Sequence, residues 1–352
     1  MEFSQAVPDQ AVPGTGSGTD DQHAAVGGAA PVVARRRLGA HGPEVPLLGL
    51  GSWNTWDRMT TEEAAELVAR AVAHGVDLFD VAHYNFGPHA ENAVTDILFG
   101  EAVRAAGLKR SDYLICGKLW LWDYPNTGFA GQLDTALERV GVDRADLVVA
   151  GDYLGELDVR AVVTDVAELV RAGRFDAWGV NNWPAAVLAE AVRFARAEGM
   201  PEPVFAQLKY SLARRSVPEG EPYGELFADG LGLQASDVFE GGILAGKLHP
   251  QRKIGADPGG IRDAIREAYP EVRRIAEGFG ATAAQLAVAF CLTHPAAASV
   301  LFGASSREQF DANLGALDLL ARHGGELREA VEGLWLDRGV VAPGASWGTD
   351  AP

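Results

Sequence analysis

Two apolar runs in this chain each carry a charged residue at their end: FDVAHYN holds Asp80 and ICGKLW holds Lys118. An acid and an amine at the tips of neighbouring strands are the parts from which a barrel builds a proton-transfer site. The bland alternative is a structural ion pair at a barrel rim, but a buried charge pair is costly to keep without a use. His83, Tyr84 and His89 follow Asp80 on the same stretch. They are either plain loop residues or include one that handles a proton near neutral pH. Trp53, Trp56, Trp120 and Trp122 fall after the first and third of the runs that read as barrel strands. They either pack the rim or form an aromatic wall for an apolar or sugar-like substrate. Asp152, Tyr153 and Glu156 form a further group of acids and a phenol. No spacing of His, Asp, Glu or Cys fixes a metal geometry, so no metal is expected.

The elements that position these residues alternate along the chain. Short continuous apolar runs, as expected of parallel strands covered on both faces, lie near 46–53, 76–82, 113–119, 146–151, 175–180, 203–208, 231–236 and 298–303. Helical patterns lie at 60–75, 127–141, 159–173, 184–199, 261–280 and 306–324. The first has Thr60 or Thr61 as N-cap with Glu62 and Glu63 in its opening turn, and several end in Gly. Eight such runs alternating with helical patterns predict an α/β fold of the (β/α)8 TIM-barrel kind, residues 34–340. The rival, a doubly wound sheet, lacks a GxGxxG after the first strand. The opening ARRRLGAHGPEVP predicts a small β-hairpin that plugs the barrel bottom. Residues 1–33 read as a disordered tail rich in Ala, Gly, Pro, Asp and Gln, and 341–352 as a flexible C-terminal tail.

Bulk composition narrows the partners. The 352 residues are 47% hydrophobic and 22% charged, ample for a globular core. The net charge of −18 argues against a nucleic-acid or anionic-membrane partner and leaves a small-molecule substrate as the expectation. Cys116 and Cys291 sit in apolar runs and read as buried free thiols. No apolar run reaches the ~18 residues of a membrane span, and no basic start precedes an apolar stretch, so a cytoplasmic protein is expected. The wealth of Ala, Gly and Arg with few Lys points to a high-GC bacterial source, and from there to secondary metabolism.

Taken together, VPLLGLGSWNTW, GVDLFDVA, RAGRFDAWGVNNW, GGILAGKL and SVLFGASSREQFDANLGAL make the chain resemble the aldo-keto reductase superfamily from about residue 35 to 320. It is most similar to the branch of potassium-channel β subunits and bacterial deoxysugar reductases. The resemblance implies a nicotinamide cofactor, usually NADPH, and hydride transfer to a carbonyl. It implies a tetrad of Asp, Tyr, Lys and His, in which Lys and Asp lower the pKa of the Tyr that protonates the carbonyl. Asp80 and Lys118 match that pattern. Asn85 stands where the Tyr is expected, with Tyr84 one step earlier, and Gly151 stands where the His is expected, so the tetrad is degenerate.

The implied cofactor residues are Ser52 and Trp53 near the nicotinamide ribose, Asn182 and Gln207 at the carboxamide with Asn181 beside them, Gly241 in the seventh loop, and Ser305, Gln309 and Asn313 at the adenosine phosphate. Ser236 replaces the aromatic that stacks on nicotinamide. Asp237 and Glu240 put negative charge near the phosphates, with Arg252, Lys253 and Arg307 as candidates to offset it. Trp53, His83, Trp120 and Trp122 are the expected substrate contacts. The leading expectation is an NADP-linked reductase or dehydrogenase acting on a small carbonyl or sugar-like substrate, with Tyr84 as acid and Asn85 holding the oxygen. Two others stand beside it: a redox-neutral lyase, dehydratase, isomerase or cyclase on the same barrel, and a non-catalytic binding subunit.

Overall fold

Parallel strands must be joined by crossovers, and amphipathic helices supply them here. The computed structural model describes residues 32–53, 55–84, 93–122, 124–152, 156–250 and 254–345. A hairpin comes first, from β1 (Arg35–Arg37) and β2 (Glu44–Pro46). The barrel strands are β3 (Leu48–Gly51), β4 (Leu78–Asp80), β5 (Leu114–Trp120), β6 (Leu147–Gly151), β7 (Ala177–Asn181), β8 (Phe205–Lys209), β9 (Gly232–Ser236) and β10 (Ala297–Phe302). They close in the order β10-β3-β4-β5-β6-β7-β8-β9, all parallel. This is the (β/α)8 barrel that the alternation predicts.

Around it run α1 (Thr61–Ala73), α2 (Thr95–Ala105), α3 (Phe129–Val140), α4 (Val159–Arg171), α5 (Ala185–Ala197), α6 (Glu221–Ala228), α7 (Arg262–Gly278), α8 (Ala283–Leu292) and α9 (Arg307–Ala330). The first starts where its sequence says it should. Thr60 accepts from the Glu63 amide at 3.2 Å and Glu63 accepts from the Thr60 amide at 2.9 Å, a reciprocal cap. The last runs past the Gly324-Gly325 pair that reads as its stop. Buried Leu327 and the Arg328–Glu219 ion pair at 2.5 Å hold the extra turns.

Three apolar clusters organise the interior. The largest lies between strands and helices. A second fills the barrel, where Leu38 and Val45 of the hairpin region pack against Leu78, Cys116, Leu147, Val149 and Phe205. The hairpin therefore plugs the bottom, as predicted. The third lies at the opposite end, at the strand C-termini: Ala82, Tyr84 and Trp120, with Trp53, Ala93 and Trp122 against them.

Both predicted tail boundaries lie inside packed structure. Val33 is buried and its amide donates to the His74 carbonyl at 2.8 Å. At the other end Val341 is buried, and the Gly344 carbonyl accepts from the Ala185 amide at 3.4 Å. Among the described residues no single helix is long and apolar enough to cross a membrane.

Candidate active site

Asp80 ends β4 and Lys118 lies two residues before the end of β5, so the barrel delivers both to its C-terminal mouth. Lys118 Nζ stands 3.5 Å from Asp80 Oδ2, and both side chains are less than a tenth exposed. Gln207, from β8 across the barrel, joins the pair. It accepts from Lys118 Nζ at 2.7 Å and donates to Asp80 Oδ2 at 2.8 Å and to Gln234 Oε1 at 2.8 Å. A buried charge pair survives only when such hydrogen bonds complete it.

Tyr84 joins this pair from the segment after β4. Asp80, Ala82 and Tyr84 share one parity, so the chain carries Tyr84 to the same side as Asp80. Its hydroxyl is held up in pKa well above the ordinary phenol value, first by burial and then by the Asp80 and Asp152 carboxylates, with a side-chain hydrogen bond to Asp80 adding to it. This is opposite to the lowering that the family pattern implies. The Lys118 ammonium is spent on Asp80 and Gln207, and the strongest influences on the phenol are burial and negative charge. Asn85 lies outside the described residues, as do His89 and Tyr153.

Aromatic side chains line the mouth. Trp53 and Tyr84 have ring centres 6.0 Å apart, Tyr84 and Trp120 5.6 Å, and Trp120 stacks on Trp122 at 4.1 Å. Trp53 and Trp122 keep part of their surface exposed. Trp56 is instead fully buried, between Phe79 and Phe99 on the helix side of the barrel. His83 departs from its expected place as a substrate contact. The alternation that turns Tyr84 inward turns His83 outward, toward the Arg139–Asp96 pair. Burial, then Arg139, push its pKa down against the opposing pull of Asp96, so it is neutral at neutral pH. The His83 carbonyl does serve the wall, accepting from Trp120 Nε1 at 3.0 Å.

Gly151 ends β6 with no room for a side chain. A Cβ there would lie 2.4 Å from the Asn181 Cβ and 3.0 Å from the Asn181 carbonyl oxygen. The space of the missing His is therefore held by Asn181 on β7. Asp152, the next residue, accepts from the side-chain amides of Asn181 and, at 3.4 Å, Asn182.

The other cofactor candidates surround this mouth. Ser52, directly after β3, is buried, and its hydroxyl has no hydrogen-bond partner among the described residues. Asn182 Oδ1 accepts from the Lys209 amide at 3.1 Å. Ser236 ends β9 half-buried. Gly241 has a φ of +69°, and a Cβ there would strike Ile254 at 2.4 Å, so only glycine fits this turn. Ser305 bonds Gln309 Oε1 through its amide at 3.1 Å and its hydroxyl at 3.2 Å, at the start of α9, and Asn313 is buried one turn on.

The balance of charge differs from expectation. Asp237 is paired with Lys209 Nζ at 2.7 Å and Glu240 with Arg214 Nε at 2.8 Å. Lys209 also donates to the Ala256 carbonyl at 2.6 Å, and Arg214 to Asp257 and the Pro258 carbonyl, which fastens segment 254–258 across the mouth. Burial raises the Asp237 pKa but the Lys209 ammonium outweighs it, so the carboxyl lies below its usual value. Among the described residues Lys209 and Arg214 thus answer these acids. Arg307 pairs with Glu66 at 3.3 Å, and Arg252 and Lys253 lie outside the described residues.

With this geometry in place, comparison with known proteins is direct. The model of the "Aldo/keto reductase family" matches residues 47–323, the barrel from its first strand into its last helix. A thermostable aldo-keto reductase, Tm1743, solved with the inhibitor epalrestat, is similar at 25% identity with a TM-score of 0.67, over 86% of this chain and 100% of that one. A protein provisionally assigned as 2,5-diketo-D-gluconic acid reductase B shares the fold at 22% identity and a TM-score of 0.64, over 87% of this chain and 94% of that one. The structural neighbours and the matched span agree, and the chain belongs to the aldo/keto reductase family.

Proposed function

We propose that this chain is an NADP(H)-linked oxidoreductase that reduces a small carbonyl compound, with Tyr84 as the proton donor. The observation that carries the reading is the buried Tyr84 hydroxyl hydrogen-bonded to Asp80, whose carboxylate also faces Lys118 at 3.5 Å. A phenol held protonated at every physiological pH can give its proton to a carbonyl oxygen. Lys118 balances the Asp80 charge and Gln207 fixes both side chains, so the donor keeps one orientation. Trp53, Trp120 and Trp122 supply an apolar wall that excludes water from the reacting carbon.

The residues present fit a nicotinamide dinucleotide. Ser52 offers a buried hydroxyl without a partner among the described residues, the acids at 237 and 240 are paired with cations from within, and the start of α9 presents Ser305 and Gln309. When bound, the cofactor supplies or accepts the hydride. Ser52, Asn181, Asn182, Gln207, Ser236, Gly241, Ser305, Gln309 and Asn313 would hold it. A bacterial, cytoplasmic role in secondary metabolism fits the composition.

A second reading has one specific support. The amides of Asn181, Asn182 and Gln207 already bond Asp152, Asp80 and Gln234, so the carboxamide-binding groups are satisfied from within the chain. A redox-neutral proton-transfer enzyme would keep them so. Isothermal titration with NADPH and NADP⁺ separates the two. Micromolar binding, with carbonyl-dependent NADPH oxidation lost in Tyr84→Phe, supports the reductase. Absence of binding at millimolar cofactor overturns it in favour of redox-neutral chemistry.

A further inference from the structure

Asp152 is a carboxylate at the mouth that no cation among the described residues answers. Asp80 faces Lys118, and Asp237 faces Lys209. Among the described residues Asp152 is held by the neutral amides of Asn181 and Asn182 alone. Those amides donate to one of its oxygens, Oδ1, so the carboxylate is fixed while its other oxygen has no donor among the described residues. Asp152 is half-buried rather than sealed. It follows Gly151, which is registered against Trp120, and the Leu121 amide donates to the Gly151 carbonyl at 3.0 Å. Asp152 therefore stands level with Trp120 and Trp122, whose rings stack at 4.1 Å. Trp53 closes the same wall through Tyr84.

An oriented carboxylate on the strand next to a stacked indole pair, of which Trp122 is partly exposed and Trp120 buried, is the chemistry that recognises an ammonium group, which gains from the ring quadrupole and from the opposite charge together. The Trp120 ring already faces one cation, Lys118 Nζ, 6.0 Å from its centre. The chain's net charge of −18 favours the approach of cations over anions. We propose that the barrel mouth selects a cationic carbonyl compound, an amine-bearing ketone or aldehyde, with Asp152 as the residue that reads its charge. The proposal takes the mouth to be the substrate site, as the proposed function does, but it does not depend on hydride transfer.

The test uses the full chain and two isosteric probes, choline and 3,3-dimethylbutan-1-ol, which differ in one positive charge. Binding is followed by tryptophan fluorescence and by calorimetry, with and without NADPH. The expected result is at least tenfold tighter binding of choline, with the ratio falling below threefold in Asp152→Asn and weakening as salt is raised. Trp122→Leu, which removes an indole face and leaves every charge in place, is expected to weaken choline more than the alcohol. Equal affinity for the two probes, or a preference unchanged in Asp152→Asn, overturns the assignment. Should Asp152→Asn fail to fold, the Trp122→Leu ratio decides instead, and an unchanged ratio there overturns the proposal. Choline preference without NADPH binding would sink the reductase reading and leave this one standing. NADPH oxidation with equal turnover of 1-amino-2-propanone and 1-hydroxy-2-propanone would do the reverse.

Discussion

Gln207 and Asp80 are 127 residues apart, yet the Gln207 amide donates to Asp80 Oδ2 at 2.8 Å across the interior of the barrel. The same side chain accepts from Lys118, so one neutral group orients both charges. Gln207→Leu keeps the volume and removes every one of these bonds. It should destabilise the protein by about 1–3 kcal/mol, because buried donors and acceptors are left unpaired. It should also lower turnover with KM for the carbonyl little changed, since the misoriented pair acts on the proton donor. Chemical denaturation and steady-state kinetics on one preparation check both.

The Asp80–Lys118 pair itself separates stability from chemistry. Replacing one partner leaves a buried charge unanswered, which typically costs about 3–5 kcal/mol. Asp80→Asn and Lys118→Met should each show that loss in urea denaturation. The double variant Asp80→Asn/Lys118→Met should recover most of the stability and none of the activity. Additive losses in the cycle would mean that the 3.5 Å contact is not an energetic pair.

Gly151 makes a steric claim that is easy to check. A methyl at this position would overlap the Asn181 Cβ at 2.4 Å. Gly151→Ala should cost about 1–3 kcal/mol, the usual range for overpacking. Adding Asn181→Gly removes the opposing atom and should restore part of that loss. Gly151→His should likewise fail to restore a family-like tetrad, because Asn181 occupies the volume. Thermal melts of the single and double variants decide; a neutral Gly151→Ala would show that β6 and β7 can part at no cost.

Much of this arrangement is written locally. All eight barrel strands lie within a residue or two of their apolar runs, because each run is short, continuous and bounded by turn residues. Three helices escape the same reading. The α8 segment AAQLAVAFCL is buried over eight of its ten residues and so has too little polar face to give a period. The α6 segment holds Pro and Gly in eight residues, and α2 carries Gly100 where the Val140 carbonyl leaves no room for a Cβ. Asp80 and Lys118 are legible because each interrupts an apolar run. Lys209 gives the same signal at the end of PVFAQLK and was open to the same reading. What stays hidden is pairing across the barrel, such as Lys118 with Gln207 or Arg214 with Glu240, since closure of the sheet and not proximity in sequence brings these side chains together.

The pKa of Tyr84 leads to a directional prediction. Burial, Asp80 and Asp152 all raise it, so the phenol stays protonated far into the alkaline range. Carbonyl reduction consumes a proton from Tyr84 and uses the abundant protonated form, so kcat for reduction should be flat from neutral pH to about 9. Alcohol oxidation needs the phenolate as base. Its rate should rise about tenfold per pH unit over the same span with no plateau by pH 10, the ordinary value for tyrosine. Asp152→Asn removes one of the charges that raise the Tyr84 pKa and should shift that rising limb to lower pH. Tyr84→Phe should abolish the limb and reduce both directions by about 10²–10⁴-fold. A plateau for oxidation below pH 8 would show instead that the phenol is acidified in the working enzyme, and that Lys118 turns to it when substrate is bound.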